Sequence, residues 1–249
     1  TLDRGFQVLF TAYPAVRREL DFDALDLRRF PPGATIARPG HRSTLSDPVR
    51  DPTEALATLL NDDVGTLDKL RVLRLQRALG RRDFSALFPG PETDIRTYLA
   101  HRGFSERFVE QFAAPFYGGI TLDRSLSTAA AVFEYTFKAM TEGAIAVPAA
   151  GMGAIPAQLA ATARNAGVTI ETEAEVVGLD VVEDGAELDL GSETIDVAAA
   201  VLATDPPTAR SLTGIESIPT AARGCVTQYY SLPTTVGFEQ DRKSKRLNS

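Results

Sequence analysis

One cysteine in 249 residues, Cys225, excludes an intrachain disulfide and any zinc site built on cysteine. Histidine is almost as scarce. His41 and His101 have no cysteine or histidine neighbour at metal-ligand spacing, so both read as surface or turn residues. Positive charge is short as well: 26 Lys and Arg face 33 Asp and Glu, a net charge of −7. The arginines that do occur, such as Arg17, Arg18, Arg28, Arg29, Arg81 and Arg82, are dispersed. Phosphate backbones need clustered cations, so nucleic acid is not an expected partner. No H-E-x-x-H, no Ser/His/Asp arrangement and no GxGxxG dinucleotide loop occurs, which leaves no metalloprotease, triad or complete dinucleotide fingerprint. The uncharged run from Gly143 to Ala163 is long enough for a membrane span, but Pro148, Pro156, Gly151 and Gly153 break it into turn plus helix. A scarcity of cysteine fits a reducing cytoplasm.

What is present divides by pattern. Thr1 to Phe10 reads as a strand with Phe6, Val8 and Phe10 on one face. Tyr13-Pro14 opens a short helix, and residues 34–38 and 41–45 form a hairpin around Pro39-Gly40, the pair a type II turn demands. From Thr53 to Glu142 the pattern is helical. Expected caps are Thr66, Thr93 and Ser105, and expected stops are Gly80, Gly103 and Gly143. Six phenylalanines (Phe104, Phe108, Phe112, Phe116, Phe133, Phe137) point inward there, enough to line an apolar cavity.

Residues 143–207 carry the most information. They read as a Gly-rich turn, a helix, a strand, a polar three-stranded meander and an apolar strand ending at Ala203-Thr204-Asp205-Pro206. That order points to half of a doubly wound sheet, an α/β fold. A further strand, Gly224 to Leu232, starts another sheet.

Several motifs are similar to those of FAD-dependent amine oxidases and phytoene-desaturase-like oxidoreductases. Asp3-Arg4-Gly5-Phe6-Gln7 matches the D-x-G after that family's GGR. Pro115-Phe116-Tyr117-Gly118-Gly119-Ile120 resembles its P-F-x-G-G-I segment, and Gly151-Met152-Gly153-Ala154-Ile155-Pro156 its glycine turn, with Ala150 replacing the first glycine. The resemblance covers Thr1 to Glu239. It implies an FAD-binding, Rossmann-like domain of the glutathione-reductase type with a β-meander, plus a mainly helical substrate domain.

The implied cofactor is FAD, with Asp3, Gly5, Phe6, Gln7, Val176, Ala203 and Thr204 as its binding residues. Gly5 would allow close backbone approach to the flavin ring, Val176 would pair with the adenine edge, and Ala203 and Thr204 would lie near the diphosphate. Tyr117, Gly118 and Gly119 would contact substrate. No catalytic acid, base or metal ligand is assigned, since the flavin carries the redox step. The implied reaction is dehydrogenation or isomerisation of a lipophilic, carotenoid-like polyene. Alternatives on the same fold are an amine oxidase, a protoporphyrinogen-oxidase-like enzyme or a non-catalytic lipid-binding protein. The expected protein is cytoplasmic, able to sit on a membrane surface, and of undetermined oligomeric state. The expected organisation is 1–50 in the FAD domain with a substrate-side hairpin, 51–142 helical substrate domain, 143–214 second half of the FAD domain, and 215–240 the start of a substrate-side sheet. Residues 241–249 resemble a translated sequencing adapter and read as a non-native tail. The chain itself reads as an internal piece, inactive alone.

Overall fold

The computed structural model describes Asp3 and residues 7–38, 41–46, 64–88 and 93–231. Of the strand expected over Thr1 to Phe10, Leu9–Phe10 form β1 and residues 7–8 lie ahead of it, while residues 1–2 and 4–6 lie outside the described residues. α1 (Pro14–Glu19) starts on Pro14, whose fixed φ suits the first helical position. In α2 (Phe22–Leu25) the Asp21 carboxylate accepts the Asp23 and Ala24 N–H groups. β2 (Leu27–Arg29) follows, then the expected hairpin β3 (Gly33–Arg38) and β4 (His41–Ser46), in register from Gly33↔Ser46 to Arg38↔His41. Its Pro39-Gly40 turn lies outside the described residues.

The helical block is the core of the molecule. α3 (Thr66–Gly80) is capped by Gly65 rather than by Thr66. α4 (Ile95–His101) is capped by Asp94, which accepts the Thr97 N–H, rather than by Thr93. Ser105 caps α5 (Glu106–Phe108) as its sequence position suggests, accepting the Phe108 N–H. Asp68, buried in α3, accepts from both the Ser105 N–H and hydroxyl, so one carboxylate ties two helices together. A wide helical turn, Val109–Ala113, carries the chain into α6 (Ala114–Thr121), and α7 (Ala130–Glu142) packs across the set. Leu79, Ile95, Leu99 and Leu126 are sealed inside. Burial of each such side chain contributes about 2 kcal/mol.

α7 stops at Gly143 and the chain enters β5 (Ile145–Pro148). The sequence reading placed a turn here. Instead β5 is the centre of an antiparallel sheet ordered β1-β5-β2, with Ala146 and Pro148 buried. Four residues with two prolines and glycines nearby give too short an alternation to register as a strand. Gly143 permits the junction: a Cβ there would lie 2.5 Å from the Ala12 nitrogen.

Beyond it come α8 (Ala154–Asn165), the meander β6 (Gly178–Val182), β7 (Gly185–Asp189) and β8 (Thr194–Val197), and α9 (Pro206–Thr213). The meander has the expected antiparallel order. The parallel strands expected on either side of it are not formed. Residues 168–171, 201–204 and 224–231 have no strand pairing, and Val168, Val201 and Val226 are 51%, 92% and 90% exposed. A parallel strand is stable when buried on both faces between paired strands, and no strand pairs with these segments among the described residues. The result is an α/β mixture of helices and three small antiparallel sheets. No helix among the described residues is long and apolar enough to cross a membrane.

Candidate functional site

Three segments distant in sequence meet at Asp3. Its carboxylate accepts the Met152 N–H at 3.1 Å, and its carbonyl accepts the Tyr229 hydroxyl at 2.7 Å. Gly151 makes the turn with φ +90°, and a Cβ on it would sit 3.1 Å from the Asp3 carboxylate. Glycine is needed there for both conformation and space. The matched D-x-G segment and the matched glycine turn therefore touch. Gly5 and Phe6 lie outside the described residues, and Gln7 is exposed.

The second corner is the end of α6. Tyr117 and Gly118 face the core, whereas Gly119, Ile120 and Leu122 face outward. Gly118 serves packing: a Cβ on it would meet Arg124 Cγ at 2.9 Å and Cα at 3.0 Å. A side chain at Gly119 would meet nothing within 4 Å, so of the two glycines only this one borders open space. The Tyr117 ring is buried and its hydroxyl makes no hydrogen bond of ordinary geometry; burial pushes the phenol well above its usual range. The Thr136 hydroxyl beside it instead donates to the Val132 carbonyl.

Two leucines, Leu122 and Leu126, take left-handed conformations (φ 53° and 61°), costly for a side chain of that size. Asp123, between them, holds the loop. It accepts the Ser125 N–H and hydroxyl, the Ser127 hydroxyl and the Thr128 N–H, and pairs with Arg223 at 3.0 Å. The Ser125 and Ser127 hydroxyls, then Arg223, keep its carboxyl well below the ordinary range. Arg223 also donates to the Leu122 carbonyl. Segment 223–229 thus touches the α6 loop at one end and Asp3 at the other. Its backbone spans at most about 20 Å, and the Arg223 and Tyr229 side chains add their own reach at either end. Sequence reasoning passed over Asp123, Arg223 and Tyr229. The Asp-x-Ser-x-Ser-Thr run was a readable signal for side chains bonding nearby backbone.

Val176 is half-buried ahead of the meander, and its backbone makes no hydrogen bond to the described residues, whereas the Val177 N–H bonds the Asp189 carbonyl. Ala203 and Thr204 are exposed, and the expected phosphate site beside them is occupied by protein: the Asp205 carboxylate caps α9, accepting the Thr208 N–H and hydroxyl. An acidic cap repels a diphosphate. Among the described residues, then, the backbone of Val176 leaves room for the adenine end of FAD, and none of these groups anchors its phosphates.

The six phenylalanines pack ring on ring instead of walling a cavity. Phe104–Phe108, Phe108–Phe112, Phe112–Phe116 and Phe133–Phe137 have centroids 4.7–5.7 Å apart, and Tyr117 joins the two rows. Such contacts are core packing.

Against known families, the chain matches the model for flavin-containing amine oxidoreductases over residues 1–243. No curated protein matches it. The chain belongs to the flavin-containing amine oxidoreductase family.

Proposed function

We propose that the protein is an FAD-dependent oxidoreductase, with the cofactor lying along the Asp3–Gly151–Met152 corner and the substrate over the outer face of α6. The contact between Asp3 and Met152 carries this reading, because it joins the two segments whose motifs resemble flavin-contacting ones. When bound, FAD supplies the two-electron redox chemistry. The chain's own part is positional: Asp3 fixes the glycine turn, Val176 offers free backbone to the adenine edge, and the Asp123 loop holds Gly119, Ile120 and Leu122 outward. Strain of this kind, seen at Leu122 and Leu126, collects at binding sites.

The helical block 51–142 then acts as the substrate side and 143–214 as the cofactor side. The apolar outer face of α6, where Ile120 and Leu122 are 40% and 38% exposed, supports a lipophilic substrate. The filled aromatic rows favour the second reading, a compact amine, over a long polyene. With FAD added in excess, visible spectra of the protein are expected to show a perturbed oxidised flavin band that bleaches anaerobically with substrate. Bleaching by a hydrophobic amine selects the second reading, and bleaching by a polyene the first. A spectrum of added FAD unchanged by the protein would defeat both.

A further inference from the structure

A pocket of 420 Å³ opens where α1, the end of α3 and the end of α7 meet, and it shares no residue with the flavin-side segments. Arg17, Arg81, Arg82 and Lys138 line it, with Asp83 and Glu142. Two of the four cations are already committed. Arg82 donates to Glu134 and to the Ala86 carbonyl. Lys138, 4% exposed, donates to the Leu79 carbonyl and to Glu142, which satisfies the C-terminal end of α3 from within.

The other two are not. Arg17 donates its Nε to the Thr11 carbonyl, and among the described residues its terminal nitrogens have no partner and Arg81 has no acidic partner. They come from different walls, α1 and the end of α3. Guanidinium groups in this arrangement suit a tetrahedral oxyanion, which each can hold through two parallel N–H bonds. Asp83 is the one lining carboxylate with no cation partner among the described residues, and it accepts hydrogen bonds only. It repels a bare anion but welcomes a hydroxyl donor carried beside one. The volume is also more than a phosphate alone fills.

We propose that this pocket binds a small phosphorylated polyol, its phosphoryl group between Arg17 and Arg81 and a hydroxyl on Asp83. The test uses glycerol phosphate as probe, titrated calorimetrically into the purified chain at constant ionic strength, with inorganic phosphate and sulfate beside it. Saturable binding is expected, tighter for glycerol phosphate than for either inorganic ion. Charge-assisted hydrogen bonds contribute enough that Arg17→Gln or Arg81→Gln should each weaken it about tenfold or more. Asp83→Ala should abolish the preference for glycerol phosphate over phosphate, because it removes the acceptor that takes the hydroxyl. Arg81 is exposed, so the unliganded melting temperature of Arg81→Gln should match the parent, whereas Arg17→Gln also loses the bond to the Thr11 carbonyl and should melt slightly lower. No saturable binding, equal response to sulfate, or undiminished binding in both arginine variants would overturn the proposal.

Discussion

Replacing Gly143 by alanine should be among the most damaging single-methyl changes available in this protein. The added Cβ would lie 2.5 Å from the Ala12 nitrogen, 2.7 Å from its Cβ and 2.9 Å from the Thr11 hydroxyl. Carbon atoms rest about 3.5–4.0 Å apart, so the α7–β5 junction must move by about 1 Å. No rotamer change relieves this, because the first obstacle is backbone. The φ of −129° is ordinary for alanine, so the cost is steric only. Overpacking of this kind costs about 1–3 kcal/mol. The shift also strains two short bonds across the junction, Thr11 N–H to the Ala144 carbonyl at 2.9 Å and Ala144 N–H to the Thr11 hydroxyl at 2.8 Å. At about 1 kcal/mol each, these bring the expected loss to about 3–5 kcal/mol. Two α6 glycines complete the series. Gly118→Ala meets Arg124 Cα at 3.0 Å and should cost about 1–3 kcal/mol. Gly119→Ala meets nothing and should gain up to about 1 kcal/mol from helix propensity. Urea unfolding followed by circular dichroism gives all three. A Gly143→Ala variant within about 0.5 kcal/mol of the parent, or identical Gly118 and Gly119 variants, would refute the steric reasoning.

Two tyrosine-to-phenylalanine changes should have opposite signs. Tyr117→Phe removes a buried hydroxyl without a partner and should raise stability by about 1 kcal/mol, whereas Tyr98→Phe takes a 2.5 Å bond from the buried Glu134 and should lower it by about 2 kcal/mol; thermal melts compare them directly. Asp123 should make the fold acid-sensitive: its folded pKa lies below the unfolded value of about 3.9, so its contribution is complete above that pH and disappears as pH falls toward the folded value. Asp123→Asn should flatten the pH dependence of melting below about pH 4, and an unchanged slope would remove Asp123 from the account. Because the 249 residues contain no GxGxxG loop and Asp205 occupies the start of α9, the purified chain should not retain stoichiometric FAD through gel filtration; a retained flavin band would show that another group anchors the phosphates.

Local signals in the sequence proved the most readable. The Ser105 cap, the α7 stop at Gly143, the 33–46 hairpin and the meander each depend on a few neighbouring residues, and each appears where its residues stand. Caps at Gly65 and Asp94 fall one residue from the expected Thr66 and Thr93, because at each end the chain direction, not the residue type alone, selects which group faces the free N–H. Long-range features were harder. Apolar runs at 168–171 and 201–204 announce strands in composition, yet pairing is a property of two segments, and neither finds a partner among the described residues. From 151 to 231 only Ala186 is buried. The same distinction holds for the site. The glycine turn at 151–153 and the D-x-G at Asp3 were visible as motifs, but their contact is tertiary, and the residues that close it, Met152 through its N–H and Tyr229 through its hydroxyl, contribute groups no pattern marks. Phenylalanine spacing likewise showed an inward face without showing whether space remains behind it. Centroid separations of 4.7–5.7 Å answer that: the rings pack against one another and fill their own interior.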